Sequence, residues 1–122
     1  MSTILLVDDN TNIREAYAEI IEIFGYNCLL AEDGQDAITI MLSTACDLII
    51  SDSEMPDMNG YELLHHIKTD PQNSHIPFVL HTGRDKHDLP LNTYDVMPDA
   101  ILSKPTNLNH FRATIERFLP GD

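Results

Sequence analysis

Cysteine and basic residues are scarce in this chain, and long apolar runs are missing. Cys28 and Cys46 are its two cysteines in 122 residues. Both lie in or beside apolar segments, which argues against a disulfide-stapled fold and for buried free thiols in a reducing cytoplasm. Lysine and arginine number 7 against 20 aspartates and glutamates, for a net charge of -13. Such a surface repels DNA, RNA and anionic lipid, so direct nucleic-acid binding is not expected. No apolar stretch approaches the roughly 20 residues a membrane helix needs. Met1-Ser2-Thr3 supplies no basic segment ahead of its short apolar run, so no secretory signal is expected. Internal repeats, low-complexity tracts and interdomain linkers are lacking too. The expectation is one domain over residues 1–122, with a hydrophobic fraction of 43% that suffices for a single core.

What is present is a regular alternation. Short apolar runs at residues 3–7, 27–31, 47–51, 77–81 and 100–103 read as strands. Between them lie stretches of helical period. Asn10 or Thr11 can cap a helix that Gly25 stops, with Ile13, Tyr17, Ile20, Ile21 and Phe24 on its apolar face. Asp33-Gly34 opens a second, with Ala37, Ile38, Met41 and Leu42 as its stripe. A third spans residues 60–68, and Asp70-Pro71 ends it. A fourth is confined by Pro90 and Pro98 to residues 89–96, with Asp88 as its cap. Thr106 or Asn107 caps the last, whose apolar residues are Leu108, Phe111, Ile115, Phe118 and Leu119. Alternating β and α elements imply a doubly wound α/β fold: a five-stranded parallel sheet covered by five helices on its two faces, with right-handed crossovers.

The ends of the strands carry the chemistry. Ile4-Leu5-Leu6-Val7 runs into Asp8-Asp9, Leu48-Ile49-Ile50-Ser51 into Asp52, Phe78-Val79-Leu80-His81 into Thr82, and Ala100-Ile101-Leu102-Ser103 into Lys104-Pro105. In an open parallel sheet, ligands bind beyond the carboxyl ends of the strands. Three carboxylates, a hydroxyl and an ammonium are therefore expected at one edge. Close carboxylates repel unless a cation neutralises them. A hard divalent ion suits oxygen ligands, magnesium above all and manganese as the alternative. A nucleophilic carboxylate with such an ion, a lysine and a hydroxyl makes a phosphoryl-transfer site. The six histidines show no tight metal spacing, so zinc is not expected. His81 alternates with the inward strand positions and reads as half-buried, and Met55 and Met58 read as loop packing.

These residues resemble the receiver domain of two-component response regulators, the CheY-like phosphoacceptor module. Leu5 to Asn10 resembles the family's acidic pair after the first strand. Asp52-Ser53-Glu54-Met55-Pro56-Asp57-Met58-Asn59-Gly60 resembles its phosphoacceptor loop, and Thr82 and Lys104-Pro105 match its switch hydroxyl and lysine-proline pair. The resemblance covers essentially the whole chain. It implies a flavodoxin-like three-layer sandwich with strand order 2-1-3-4-5. It implies Asp52 as phosphoacceptor with Thr82 and Lys104 as its catalytic partners, and Asp8, Asp9, Asp52 and the main-chain carbonyl of Glu54 as magnesium ligands, Asp9 more directly than Asp8. The phosphodonor would be a sensor histidine kinase or a histidine phosphotransfer protein, and the output an unnamed downstream effector. The module would be a signalling domain that catalyses its own phosphoryl transfer and slow dephosphorylation. It would be cytoplasmic, off the membrane, and a monomer or weak homodimer, either stand-alone or part of a longer protein.

Two places depart from the pattern. The family commonly carries Tyr or Phe three residues before the lysine, where this chain has Ile101. A ring that swings between buried and exposed positions is therefore not available there. Residues 85–97 hold Pro90, abut Pro98 and have few helix formers, so the output surface near them is expected to be unusual. Glu54 and Arg84, each two residues beyond a site residue, are expected to pair across the mouth of the pocket and modulate water entry. A haloacid-dehalogenase-like phosphatase is the competing enzyme reading. It would want a second aspartate two residues after the nucleophile, where Glu54 stands. A degenerate receiver acting only as a binding module is the third reading, and the intact set Asp8, Asp9, Asp52, Thr82 and Lys104 speaks against it.

Overall fold

Each helix begins where a short polar side chain can satisfy its free amide groups. In a computed structural model, which describes residues 1–84 and 96–120, Asn10 accepts from the Ile13 amide to open α1 (Thr11–Ile23). Asp33 accepts from the Asp36 amide to open α2 (Gly34–Ser43). Asn59 and Glu62 form a reciprocal capping box on α3 (Gly60–Thr69). Asn107 takes the amides of Asn109 and His110 to open α4 (Leu108–Phe118). At the far end of α1, Gly25 adopts φ 99°, and its amide and that of Tyr26 cap the carbonyls of Glu22 and Ile21. These are the four helices among the described residues. The helix expected over residues 89–96 lies, but for Val96, outside them.

The strands are β1 (Thr3–Val7), β2 (Asn27–Ala31), β3 (Leu48–Asp52), β4 (Phe78–Thr82) and β5 (Ala100–Ser103). They form one parallel sheet in the order β2-β1-β3-β4-β5. β3 and β4 each run one residue later than their apolar stretches, because Asp52 and Thr82 continue the ladder opposite His81 and Ser103.

Strand parity divides the core. Leu5, Val7, Ile49, Phe78 and Leu80 meet Ala37 of α2 and Leu63, Leu64 and Ile67 of α3 on one face. Ile4, Leu6, Leu48, Ile50, Val79 and Leu102 meet Ala18 and Ile21 of α1 and Phe111 and Ile115 of α4 on the other. β1, β3 and β4, covered on both faces, are apolar almost throughout, as central parallel strands must be. Cys28 and Cys46 are free, and burial pushes their thiols up to about 12 and about 11, so both stay protonated and unreactive. No helix among the described residues is long and apolar enough to cross a membrane.

Candidate functional site at the carboxyl edge

Register decides which strand-end residues meet. Val7 lies opposite Ser51, so the next residues, Asp8 and Asp52, become neighbours. Asp52 lies opposite His81, so Ser53 follows beside Thr82. Thr82 lies opposite Ser103, and the Lys104 amide donates to the Thr82 carbonyl at 2.7 Å. The structure thus gathers Asp8, Asp9, Asp52, Thr82 and Lys104 from four strand ends.

Carboxylate oxygens of Asp8, Asp9 and Asp52 lie within 4.8 Å of one another. Asp8 is buried and both its oxygens accept a bond: Oδ1 takes the Asn10 amide at 2.9 Å and Oδ2 takes Lys104 Nζ at 2.8 Å. Lys104 stands farther from Asp52, at 3.4 Å, so the ammonium sits between two carboxylates and nearer the first. Burial raises the Asp52 pKa, the Lys104 charge opposes that rise, and the Asp8 charge adds to it. Three carboxylates facing one ammonium leave a surplus of negative charge on hard oxygen donors. That donor set fits a small divalent cation such as magnesium.

The backbone around Asp52 is shaped by glycine. A Cβ on Gly60 would collide with the Asp52 carbonyl oxygen and come within 2.8 Å of Ser53 Cα. The Gly60 amide bonds the Ser53 carbonyl at 2.9 Å, drawing the loop of residues 53–59 back onto the strand end. Within it Asp57 takes φ 65°, a conformation aspartate tolerates. Met55 is buried and Met58 packs where a side chain on Gly34 would sit, so both methionines serve loop packing. The Lys104-Pro105 bond is cis.

Residues 4–116 match the family model described as the response regulator receiver domain. The chain belongs to the response regulator receiver domain family. This receiver is 34% identical over 124 residues to the phosphate regulon transcriptional regulatory protein PhoB of Pseudomonas aeruginosa, covering 98% of this chain and 54% of that one. It therefore spans about half the length of that relative. A signal receiver domain of a signal transduction histidine kinase from Syntrophus aciditrophicus superposes with a TM-score of 0.90 at 31% identity, over 99% of this chain and 92% of that one. The response regulator TrrA of Thermotoga maritima, solved in complex with Mg(2+)-BeF, gives 0.85 at 29% identity, over 97% and 99% of the two chains.

Two further features of this receiver's site were not foreseen from sequence. Ser53, fully buried, donates its hydroxyl to Thr82 Oγ1 at 2.6 Å, and the Arg84 amide donates to the same oxygen at 3.1 Å. Thr82 accepts both bonds, so neither uses its own O–H proton. The signal for Ser53 was a small hydroxyl directly after the strand-end aspartate, which reads equally well as a turn residue. Nearby, the Tyr61 hydroxyl is buried with no hydrogen-bond partner among the described residues, and burial raises its pKa. His81 departs from expectation. It is buried, not half-buried, with its ring against Tyr17 at 4.7 Å and Phe111 at 6.0 Å. Desolvation pushes its pKa down to about 4.

At the rim, Arg84 Nη1 and Glu54 Oε1 pair at 2.8 Å, as their offsets suggest, with both side chains substantially exposed. Ile101 is partly buried against the α2–α3 side of the core. Gly83 would present a Cβ to open space among the described residues.

Proposed function

We propose that this receiver accepts a phosphoryl group on Asp52 from a phosphohistidine and signals through the conformational change that follows. The juxtaposition of Asp8, Asp9 and Asp52 within 4.8 Å of one another, with Lys104 2.8 Å from Asp8 and 3.4 Å from Asp52, carries this reading. Asp8, Asp9, Asp52 and the Glu54 carbonyl would hold magnesium, or manganese, which when bound offsets charge on the phosphoryl oxygens.

An Asp52 carboxylate oxygen attacks phosphorus. The P–O bond forms as the P–N bond to the donor imidazole breaks, and the departing ring nitrogen takes up a proton. Lys104 needs only a short shift from Asp8 to meet a phosphoryl oxygen on Asp52, where a charge-assisted bond replaces the one it leaves. Thr82 can donate its unused proton to a second phosphoryl oxygen. Water later attacks phosphorus and releases phosphate, restoring Asp52. Phosphorylation adds charge and acceptors that draw Thr82 and Lys104 inward and shift the population of the loops they carry. With Ile101 in place of a ring, that shift proceeds without an aromatic swing.

The donor is a sensor histidine kinase or a histidine phosphotransfer protein, in keeping with the kinase-borne receivers among its relatives. The output is a protein effector, since the acidic surface disfavours direct nucleic-acid contact.

Intact mass after incubation with acetyl phosphate, with and without magnesium, tests the reading on wild type and Asp52→Asn. One magnesium-dependent phosphoryl adduct, absent from the variant, is expected. A folded wild type that gains none, with a donor active on another receiver, would favour a phosphate-independent binding module.

A further inference from the structure

Lys104 sits on a tight turn, and that turn is tied to the sheet by side chains outside the acidic cluster. Thr106 Oγ1 lies 2.7 Å from the Ser103 carbonyl, which can only accept, so the hydroxyl proton points there. The same oxygen lies 2.7 Å from His81 Nε2. Donating to the Ser103 carbonyl leaves a Thr106 lone pair for a proton on His81 Nε2, so one hydroxyl can join the ring to the turn. The Thr106 amide donates to the Tyr17 hydroxyl at 3.4 Å, and Tyr17 also packs edge-on against the His81 ring. Lys104 and Pro105 are thus bracketed. Ser103 and Thr106 are cross-tied, His81 of β4 anchors the tie, and Tyr17 of α1 braces it. Asn107, not Thr106, caps α4, which leaves the Thr106 hydroxyl for this tie.

We propose that His81 and Thr106 are positioning residues for the phosphoryl-transfer reaction, acting through Lys104. This rests on the role assigned to Lys104 above. A lysine has four rotatable side-chain bonds, and a turn free to tilt would spread its ammonium over several positions. Displacement of a reacting group by about 1 Å can cost on the order of a hundredfold in rate. The tie holds the main chain at residue 104 so that Nζ reaches only the narrow space beside Asp8 and Asp52. His81 does this from the strand that ends in Thr82, so the turn that carries Lys104 is tied to the strand that carries Thr82.

The test combines phosphorylation rates by acetyl phosphate at saturating magnesium with magnesium affinity by calorimetry in the absence of donor. His81→Leu and Thr106→Val are each expected to slow phosphorylation roughly tenfold. Magnesium affinity is expected to stay the same or tighten, since Lys104 no longer competes as well for Asp8. General loosening of the fold would instead weaken both. Thr106→Ser keeps the oxygen and is expected to restore the rate. Combined with Lys104→Ala, His81→Leu should add nothing to the loss from Lys104→Ala alone, because both act through one group. Wild-type rates in folded Thr106→Val and His81→Leu, or full additivity with Lys104→Ala, would overturn the proposal. Should His81→Leu not fold, Thr106→Val on the partly exposed turn carries the same test. Lys104→Ala reacting at the wild-type rate would instead overturn the reading of the site, and this inference with it.

Discussion

Lys104 and Arg84 both reach the acidic end of the sheet, and each makes an ion pair of 2.8 Å. Lys104 is 16% exposed and its partner Asp8 2%. Arg84 is 44% exposed and Glu54 56%. Equal lengths conceal unequal roles. The buried pair sits where water screens poorly and a lost partner leaves a charge uncompensated. The exposed pair is screened and its side chains lose entropy in holding together. One side of the site is therefore built to fix charge, and the other can adjust the approach to it without disturbing the fold.

Breaking the buried side should give the largest effect. Lys104→Ala is expected to slow phosphorylation of Asp52 by roughly a hundredfold, the usual scale for losing one group that stabilises transition-state charge. It should also cost metal-free protein about 3 kcal/mol in urea unfolding near neutral pH, because Asp8 stays buried without its ammonium. Asp52, whose pKa the lysine now restrains, would titrate still higher. Saturating magnesium should recover most of the lost stability by binding only the folded state. A variant as stable as wild type without magnesium would show that the buried pair is no stronger than the exposed one.

Behind the lysine, the histidine gives this side a pH signature. His81 titrates at about 4 in the folded chain against 6.5 as a free side chain. Above pH 6.5 it is neutral in both states and costs nothing. As pH falls from 6.5 to about 4, the unfolded chain gains a proton that the folded chain refuses, and stability drops. The loss amounts to about 3 kcal/mol once pH lies below the folded value. Asp52, shifted upward, works in the opposite sense on acidification. Comparing wild type with His81→Leu isolates the histidine: the unfolding free energy of wild type minus that of the variant should fall by about 3 kcal/mol as pH drops from above 6.5 to below 4. A constant difference would mean that the imidazole is solvated.

That histidine also marks where the sequence stopped being legible. The strands could be read because apolar runs ended at Asp8, Asp52, Thr82 and Lys104. Parallel crossovers then required those ends to share an edge. Which residues would touch depended on register, and nothing local specifies that Val7 faces Ser51 or that Asp52 faces His81. Ser53 against Thr82 follows from the second pairing and was missed for that reason. Alternation set His81 apart from the inward strand positions and suggested half burial, but its depth comes from Tyr17 and Phe111, brought over it by helices distant in sequence. Asn107 and Thr106 were equally good caps on paper. The choice was made by a carbonyl and an imidazole that only the fold supplies.

The loop that carries Glu54 of the exposed pair turns back onto the strand end at Gly60. Gly60→Ala is expected to destabilise the protein by about 2 kcal/mol, because its Cβ meets backbone of Asp52 and Ser53 that has no flexible end to yield. The strand end must shift to accommodate it, so phosphorylation should slow as well. Gly25→Ala is strained by its φ of 99° alone, far from the site, and should cost stability without altering the rate per folded molecule. Equal rate losses in the two variants would uncouple the Gly60 contact from the chemistry.

The smallest effect on folding should come from Arg84→Ala, and the comparison is sharpest there. Loss of the exposed pair should change stability by no more than about 1 kcal/mol. The main-chain amide that bonds Thr82 is untouched by this substitution, so the hydroxyl stays in place and phosphorylation should proceed near the wild-type rate. What should change is the life of the product. With the bridge gone, water reaches the Asp52 phosphoryl group more freely, and dephosphorylation should quicken severalfold. High salt offers an independent check. At about 1 M the screening length falls to about 3 Å, which weakens a solvent-exposed pair. Wild type should then approach the lifetime of Arg84→Ala, while Lys104, shielded from solvent, keeps its place beside Asp8. A lifetime indifferent to both arginine and salt would remove the gate and leave the exposed pair without a role in this chemistry.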